Sequence, residues 1–554
     1  MTESAQQTLF TGRMWCPTNG EVDALLVRDG RIVASGAQAR EVVGHNDSHV
    51  APQVDGIEVV EVNEGLLVPA FADGHAHPLF GGLEAEGPQV RPQTSVAGIV
   101  AEVRRWAQEH PDAEWITGAS YDSSLAPEGL FDARWLDEAV PDRPVALRAW
   151  DYHTMWVNTV ALARAGITPD TPDPELGEIP HRPDGSVLGT LREWGAVDLI
   201  TAVAEPPDLE AQLRSLERAA YAYAALGVTW VQDAWVEPDT LEVYLEAART
   251  DRLPIRFNLA LYADPRHWPA QLDFFREARR RVAELDHPNL SARTVKFFAD
   301  GVVENATAAV LEHYCGCPGE TGMLVWSPEL LTRAVTEVDA EGFQPHIHTI
   351  GDRAVQVALD AIEAAAAANG PRDRRAVLAH VQLAQDSDRE RMARLGVIAN
   401  AQPLWSQLDA LMTVLTVPRL GDERSTSQYP WATLRDLGVA LSFGSDWPVS
   451  SADPLEGIAV ACSRQTAERM PAGGWTPHER LSLATAFGAY TAGTGYQAFR
   501  DAGQLAVGQD ADFALLSHDP RELAEPRDLD TIRVTDTWVA GRRIPVPAEE
   551  KVTR

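Results

Sequence analysis

The chain has little cysteine, a shortage of positive charge and no long apolar run, and each shortage removes a class of protein. Its four cysteines in 554 residues, Cys16, Cys315, Cys317 and Cys462, are too few and too scattered for a disulfide framework, which fits a reducing cytoplasm. Cys315-Gly316-Cys317 has the spacing of half a thiolate metal site, but no second pair accompanies it. Basic residues number 47 against 81 acidic ones, a net charge of −34. Nucleic acid and anionic membranes are gripped by basic surface, so this balance argues against both as partners. No stretch approaches the roughly eighteen uninterrupted apolar residues of a membrane helix. Residues 1–7 have neither the basic start nor the apolar core of a secretory signal. The expectation is a cytoplasmic protein that acts on a small molecule. For its oligomeric state the prior is a homodimer, the commonest soluble assembly.

What is present is an ordinary globular composition, 45% hydrophobic and 23% charged, in a chain long enough for a large barrel and a smaller unit. Residues 24–27 and 31–35 are apolar runs around Asp29-Gly30, a strong hairpin signal. Residues 54–62 and 66–68 continue the pattern, and similar tracts return at 508–516 and 532–544. Neither tract buries a core alone, so the two chain ends (1–68 and 496–554) are expected to pair into one small β-sandwich. Between them, residues 69–495 alternate short β-rich runs with helical stretches. After the first strand the candidates are 228–232, 255–260, 294–298, 344–348, 376–380, 397–401 and 440–444. The total, eight, is the number that closes a (β/α)8 TIM-type barrel. The gap from Pro78 to Gly227 far exceeds a normal βα connection. Residues 83–206 are therefore expected to form an inserted subdomain or lid, whose His153, Trp156 and Glu193 are candidates for contacting substrate.

The stretch Asp73-Gly74-His75-Ala76-His77 follows an apolar run at 68–72. Side chains two apart in a strand share a face, about 6 to 7 Å apart, so His75 and His77 can converge on one cation with Asp73 in support. Other strand ends carry Lys296, His348 and His380, and the eighth runs into Gly444-Ser445-Asp446-Trp447-Pro448. Barrel active sites are assembled from the carboxyl ends of different strands, so these residues would meet. Imidazole and carboxylate donors suit zinc first, with iron, manganese and cobalt as alternatives. His346 shares a strand face with His348 and competes with it as a ligand.

Taken together, residues 69–77, Val295-Lys296-Phe297-Phe298-Ala299-Asp300-Gly301, His348-Thr349-Ile350-Gly351-Asp352-Arg353, Ala379-His380 and Gly444–Pro448 resemble the amidohydrolase superfamily. Within it they look like the YtcJ-like branch that includes N-substituted formamide deformylases. The resemblance implies that His75 and His77 hold one divalent metal, that His348 and His380 hold a second, and that Lys296 bridges them as a carboxylated lysine. A bare ammonium beside dications would be repelled, whereas a desolvated neutral amine can add CO2. An alternative is a Lys296–Asp300 ion pair and a single metal. The family's placing of its histidine directly before the Ile-Gly-Asp-Arg run favours His348 over His346. Asp446, which the resemblance marks as general base and then acid, would complete a metal-activated attack of water on a C–N bond of amide or formamide type. Asp352 and Arg353 are read as caps of the following helix, and Trp447 as a further substrate contact. Two other functions compete: hydrolytic deamination of a cyclic substrate, and a catalytically silent metal-binding or regulatory protein on the same scaffold.

Overall fold

The computed structural model describes residues 7–42 and 57–547. Eight parallel strands form one sheet: β1 (Phe71–Ala76), β2 (Val228–Val236), β3 (Arg256–Tyr262), β4 (Leu290–Phe298), β5 (Gln344–Thr349), β6 (Val377–His380), β7 (Ile398–Ala401) and β8 (Ala440–Phe443). The two ends of this order meet just beyond the strands. Asp446 N donates to His75 O and His77 N donates to Trp447 O, both at 2.7 Å. The approach depends on glycine, because a Cβ on Gly74 would lie 2.4 Å from Asn400 Nδ2 and one on Gly444 2.6 Å from His75 N. The result is the TIM-type barrel that the strand rhythm implies.

Helices cover the barrel because their apolar positions recur at helical spacing. In Leu209–Ala225, Leu213, Leu216, Ala220, Tyr223 and Ala224 form the buried stripe, and the Asp208 carboxylate caps the start by accepting from Ala211 N. The helix Asp352–Asn369 departs from expectation at its start. Its N-cap is Gly351 and no side chain caps it; the Asp352 carboxylate instead accepts from Leu311 N at 2.9 Å and from Gln385 Nε2 at 2.6 Å. Arg353 donates to Gln356. Asp352 thus ties two rim loops together, because its oxygens reach outward from the first turn.

The barrel interior beneath the rim is polar. Asn258 Nδ2 donates to Thr294 Oγ1 (2.8 Å) and Thr294 to Gln344 Oε1 (2.9 Å), while Gln344 Nε2 donates to the backbone oxygen of Gln497 (3.0 Å). Asn400, Ser442 and Gln497 continue this buried layer. Such groups cost free energy unless each finds a partner, and here they partner one another.

Strands from both chain ends hydrogen-bond into a second, seven-stranded sheet, with Ile57–Pro69 between Gln7–Cys16 and Phe513–Leu516. Ile32 on one edge strand and Trp538 one strand in from the other share one apolar cluster with Phe10, Leu25 and Phe513, so the sheet folds over itself as the expected sandwich. The first part of the candidate run 54–62 lies outside the described residues. Between β1 and β2 stands a four-stranded sheet of Ile116–Tyr121, Val145–Ala149, Thr154–Val157 and Thr190–Arg192, which has its own apolar clusters. Among the described residues no helix is long and apolar enough to cross a membrane.

Candidate active site and metal centre

His75, His77, Lys296, His348, His380 and Asp446 all line one cavity of about 350 Å³ at the carboxyl end of the barrel. Donor atoms of His75, His77 and Asp446 lie within 4.8 Å of one another, and all three residues are buried. His77 Nε2 stands 3.0 Å from Asp446 Oδ1, yet that oxygen has no hydrogen-bond partner. Two atoms each about 2.0–2.2 Å from one ion would be spaced in this way, so the donors fit a shared cation rather than a shared proton. The exposed Cys315 and Cys317 belong to no such group among the described residues.

Each remaining imidazole is fixed by the nitrogen it turns away from the centre. His348 Nε2 donates to Gly301 O (3.2 Å), which leaves Nδ1 as the acceptor. His380 Nδ1 faces Gln402 Oε1 (2.8 Å), which leaves Nε2, and its ring stacks on Trp405 with centroids 4.8 Å apart. His75 Nδ1 meets His346 Nε2 at 2.8 Å, and His346 Nδ1 meets the side-chain amide of Gln232 at 2.6 Å. Both nitrogens of His346 are therefore engaged. It sits beneath His75 as a prop, while His348, two residues on, reaches the rim.

Lys296 is fully buried, with Nζ 3.3 Å from His75 Nε2 and 4.4 Å from the centroid of Phe298. Burial pushes its pKa down to about 7, against the upward pull of Asp446 and Asp233. Burial also drives His75 and His348 well below the ordinary imidazole value, and His380 to about 3. These rings are neutral and have lone pairs available. Burial alone would raise Asp446, but the neighbouring His77 foremost outweighs it and lowers the carboxyl pKa below its ordinary value. Asp300 does not pair with Lys296. Its oxygens accept from Ile350 N, Gly351 N and Ala309 N, which orders the rim beside His348. Asp73 likewise works on the backbone, accepting from His75 N and Ser445 N and so joining β1 to the loop after β8.

The four residues singled out as substrate contacts fare differently. His153 lines the cavity. Glu193 lies behind it, buried, with Oε2 2.8 Å from His153 Nδ1. Trp156 is fully buried in the insertion's own core against Tyr121 and Phe131, and Trp447 packs on Gly81 and Tyr223. Neither tryptophan lines the cavity. Three aromatic walls do so: Trp150, three residues before His153 in the same polar and aromatic run, and Trp235 and Trp405, which the sequence did not single out. Backbone strain gathers here, with His380 at φ 74°, Asp446 at 55° and Glu193 at 62° in the left-handed region that non-glycine residues avoid.

A parallel barrel with ionised and neutral donors gathered at its carboxyl rim defines a metal-dependent hydrolase. The chain belongs to the amidohydrolase family, whose model matches residues 58–545. It is 31% identical to Protein LONG AFTER FAR-RED 3 of Arabidopsis thaliana, over 92% of this chain and 86% of that one. It is 27% identical to the N-substituted formamide deformylase of Arthrobacter pascens, over 94% and 95%. Its fold is similar to that of an uncharacterised metal-dependent hydrolase from Pyrococcus horikoshii, with a TM-score of 0.72 and 22% identity, covering 93% of this chain and 98% of that one.

Proposed function

We propose that the protein hydrolyses a C–N bond of amide or formamide type in a small, partly apolar molecule, using divalent metal at the barrel rim. The observation that carries this reading is the donor set itself: two histidines and an ionised carboxylate within 4.8 Å, beside a buried amine. His75 and His77, with Asp446, would hold one ion, and His348 and His380 a second. Lys296, with its pKa pushed down to about 7, is suited to react as the free amine: CO2 would add to Nζ with loss of a proton, and the resulting carbamate would offer an anionic ligand in place of a cation. When bound, divalent metal, zinc by the preference of these donors, would supply a water of lowered pKa and polarisation of the substrate carbonyl. Asp446 then accepts the proton of the attacking water and returns it to the leaving nitrogen. The aromatic walls accept the apolar part of the substrate, and the formamide deformylase relative supports a formyl-type acyl group. The free cysteines support a cytoplasmic setting.

The test is release of formate from N-cyclohexylformamide and small related amides by zinc-loaded protein. Asp446→Asn should lower the rate by roughly 10³-fold, within the range for loss of a general acid–base group. Full activity in Asp446→Asn would remove the mechanism. Release of ammonia from a ring-borne amino group, as in an aminopyrimidine, with no amide cleavage would move the reading to deamination.

A further inference from the structure

The insertion sends one side chain into the cavity in a prepared state. His153 Nδ1 lies 2.8 Å from Glu193 Oε2, so that nitrogen carries the hydrogen, and in the neutral ring Nε2 carries the lone pair. Among the described residues Nδ1 alone of the two ring nitrogens has a hydrogen-bond partner, and His153 lines the cavity. The ring is packed between Trp194 and Phe298, with centroids 4.8 and 6.0 Å away, and lies 5.6 Å from the ring of His348. It is therefore within one small molecule's width of the metal donors. Other polar groups on that wall are already committed. Asp151 Oδ1 accepts from the backbone of His153 and Thr154, and Arg91 is held by Glu84 and Ser120.

The support for this ring is built from two parts of the fold. Tyr152 (φ 59°) and Glu193 (φ 62°) both adopt the left-handed conformation, and Glu193 N donates to His153 O at 2.7 Å. Glu193 Oε1 accepts from Thr307 Oγ1 in the loop after β4. Gly301 in that loop leaves the necessary space, since a Cβ there would lie 2.7 Å from Glu193 Oε1. The same glycine's carbonyl accepts from His348. Strained non-glycine backbone and a buried carboxylate with both oxygens used are costly. Burial lowers the pKa of the ring, but Glu193 and Asp151 outweigh it and raise it above the ordinary imidazole value; Nε2 offers its lone pair above that pKa, so the probes are compared at alkaline pH.

We propose that His153 is a specificity-determining residue whose Nε2 accepts a hydrogen bond from an N–H donor at the scissile amide, with Glu193 as its positioning residue, so that the site selects secondary amides over tertiary ones. This rests on the hydrolase reading above. The probes are N-cyclohexylformamide and N-cyclohexyl-N-methylformamide, which differ in that hydrogen. They are compared on zinc-loaded wild type, His153→Ala and Glu193→Gln, with metal content and thermal midpoint recorded for each. Wild type should favour the N–H probe in kcat/KM by roughly tenfold or more, the scale of one lost hydrogen bond in a buried site. His153→Ala should keep its metal and abolish that preference by losing activity on the N–H probe alone, and Glu193→Gln should weaken the preference. Equal losses on both probes, loss of metal with His153, or no preference in wild type would overturn the proposal. If wild type releases no formate from either probe, the hydrolase reading has failed separately. Equilibrium dialysis of the same pair then decides the N–H contact: tighter binding of the N–H probe that vanishes in His153→Ala supports it, and equal or absent binding overturns it.

Discussion

The barrel rim and the insertion face the same cavity, but they hold their side chains by opposite means. On the rim, support comes from below: Gln232 braces His346, His346 braces His75, and Gln402 braces His380 from the same buried amide layer. In the insertion, His153 is held from the side, by a turn at Asp151 and by Glu193 some forty residues along the chain. The first arrangement uses the two-residue period of parallel strands, which every neighbouring strand reinforces. The second depends on a distant segment in a strained conformation. The comparison teaches that the imidazoles of the rim are braced independently of the insertion, whereas the wall that carries His153 depends on both.

The largest break in this comparison is Trp156→Ala. The ring is fully buried in the insertion's core, and its loss should cost about 3–5 kcal/mol there. Calorimetry should show an early transition while metal content per chain stays at the wild-type value; concurrent loss of metal would mean that the two regions are one cooperative unit. Next is His346→Leu, which removes the prop beneath His75. Metal affinity should fall by about 10- to 100-fold, as for other partners of ligating histidines, with the insertion's stability unchanged. Competition with a chelator measures this, and an unaltered affinity would make His346 mere filling.

The smallest effect lies where the end sheet meets the barrel. Burial alone would raise Asp512, but Arg256 and Arg500 outweigh it and hold its folded pKa below 3.8. A depressed carboxylate stabilises the fold above its unfolded value, and that contribution is lost as pH falls from about 4 through the folded pKa. Asp512→Asn should therefore have a lower thermal midpoint at pH 7 and a shallower decline below about pH 4. An unchanged slope would show that the ion pairs contribute nothing.

The barrel was legible because its strands are short apolar runs at regular spacing, several of them ending in a chemistry-bearing residue that period two places on the inner face. His75, His77, Lys296, His348, His380 and Asp446 could be set at one rim on that ground before any coordinates. The depth of His346 was not legible, because His346 and His348 share a face and only the partner across the barrel, Gln232, separates their roles. Nor was the insertion's sheet. Its strands are as short as Thr190–Arg192, contain Gly118 and Ser120, and pair across gaps in sequence, as Ile116 does with Val145. Trp156 illustrates the consequence: an aromatic residue in a polar neighbourhood reads equally as pocket or core, and distant Phe131 decides for core.

The most direct measurement is the number of metal ions per chain, by elemental analysis of zinc-loaded wild type and Lys296→Ala. A buried amine of pKa about 7 that serves as a carboxylated bridge predicts two ions in wild type, falling to one or none in the variant together with amide hydrolysis. One ion in both proteins, with hydrolysis unaffected, would contradict the bridged pair and leave a single site on His75, His77 and Asp446.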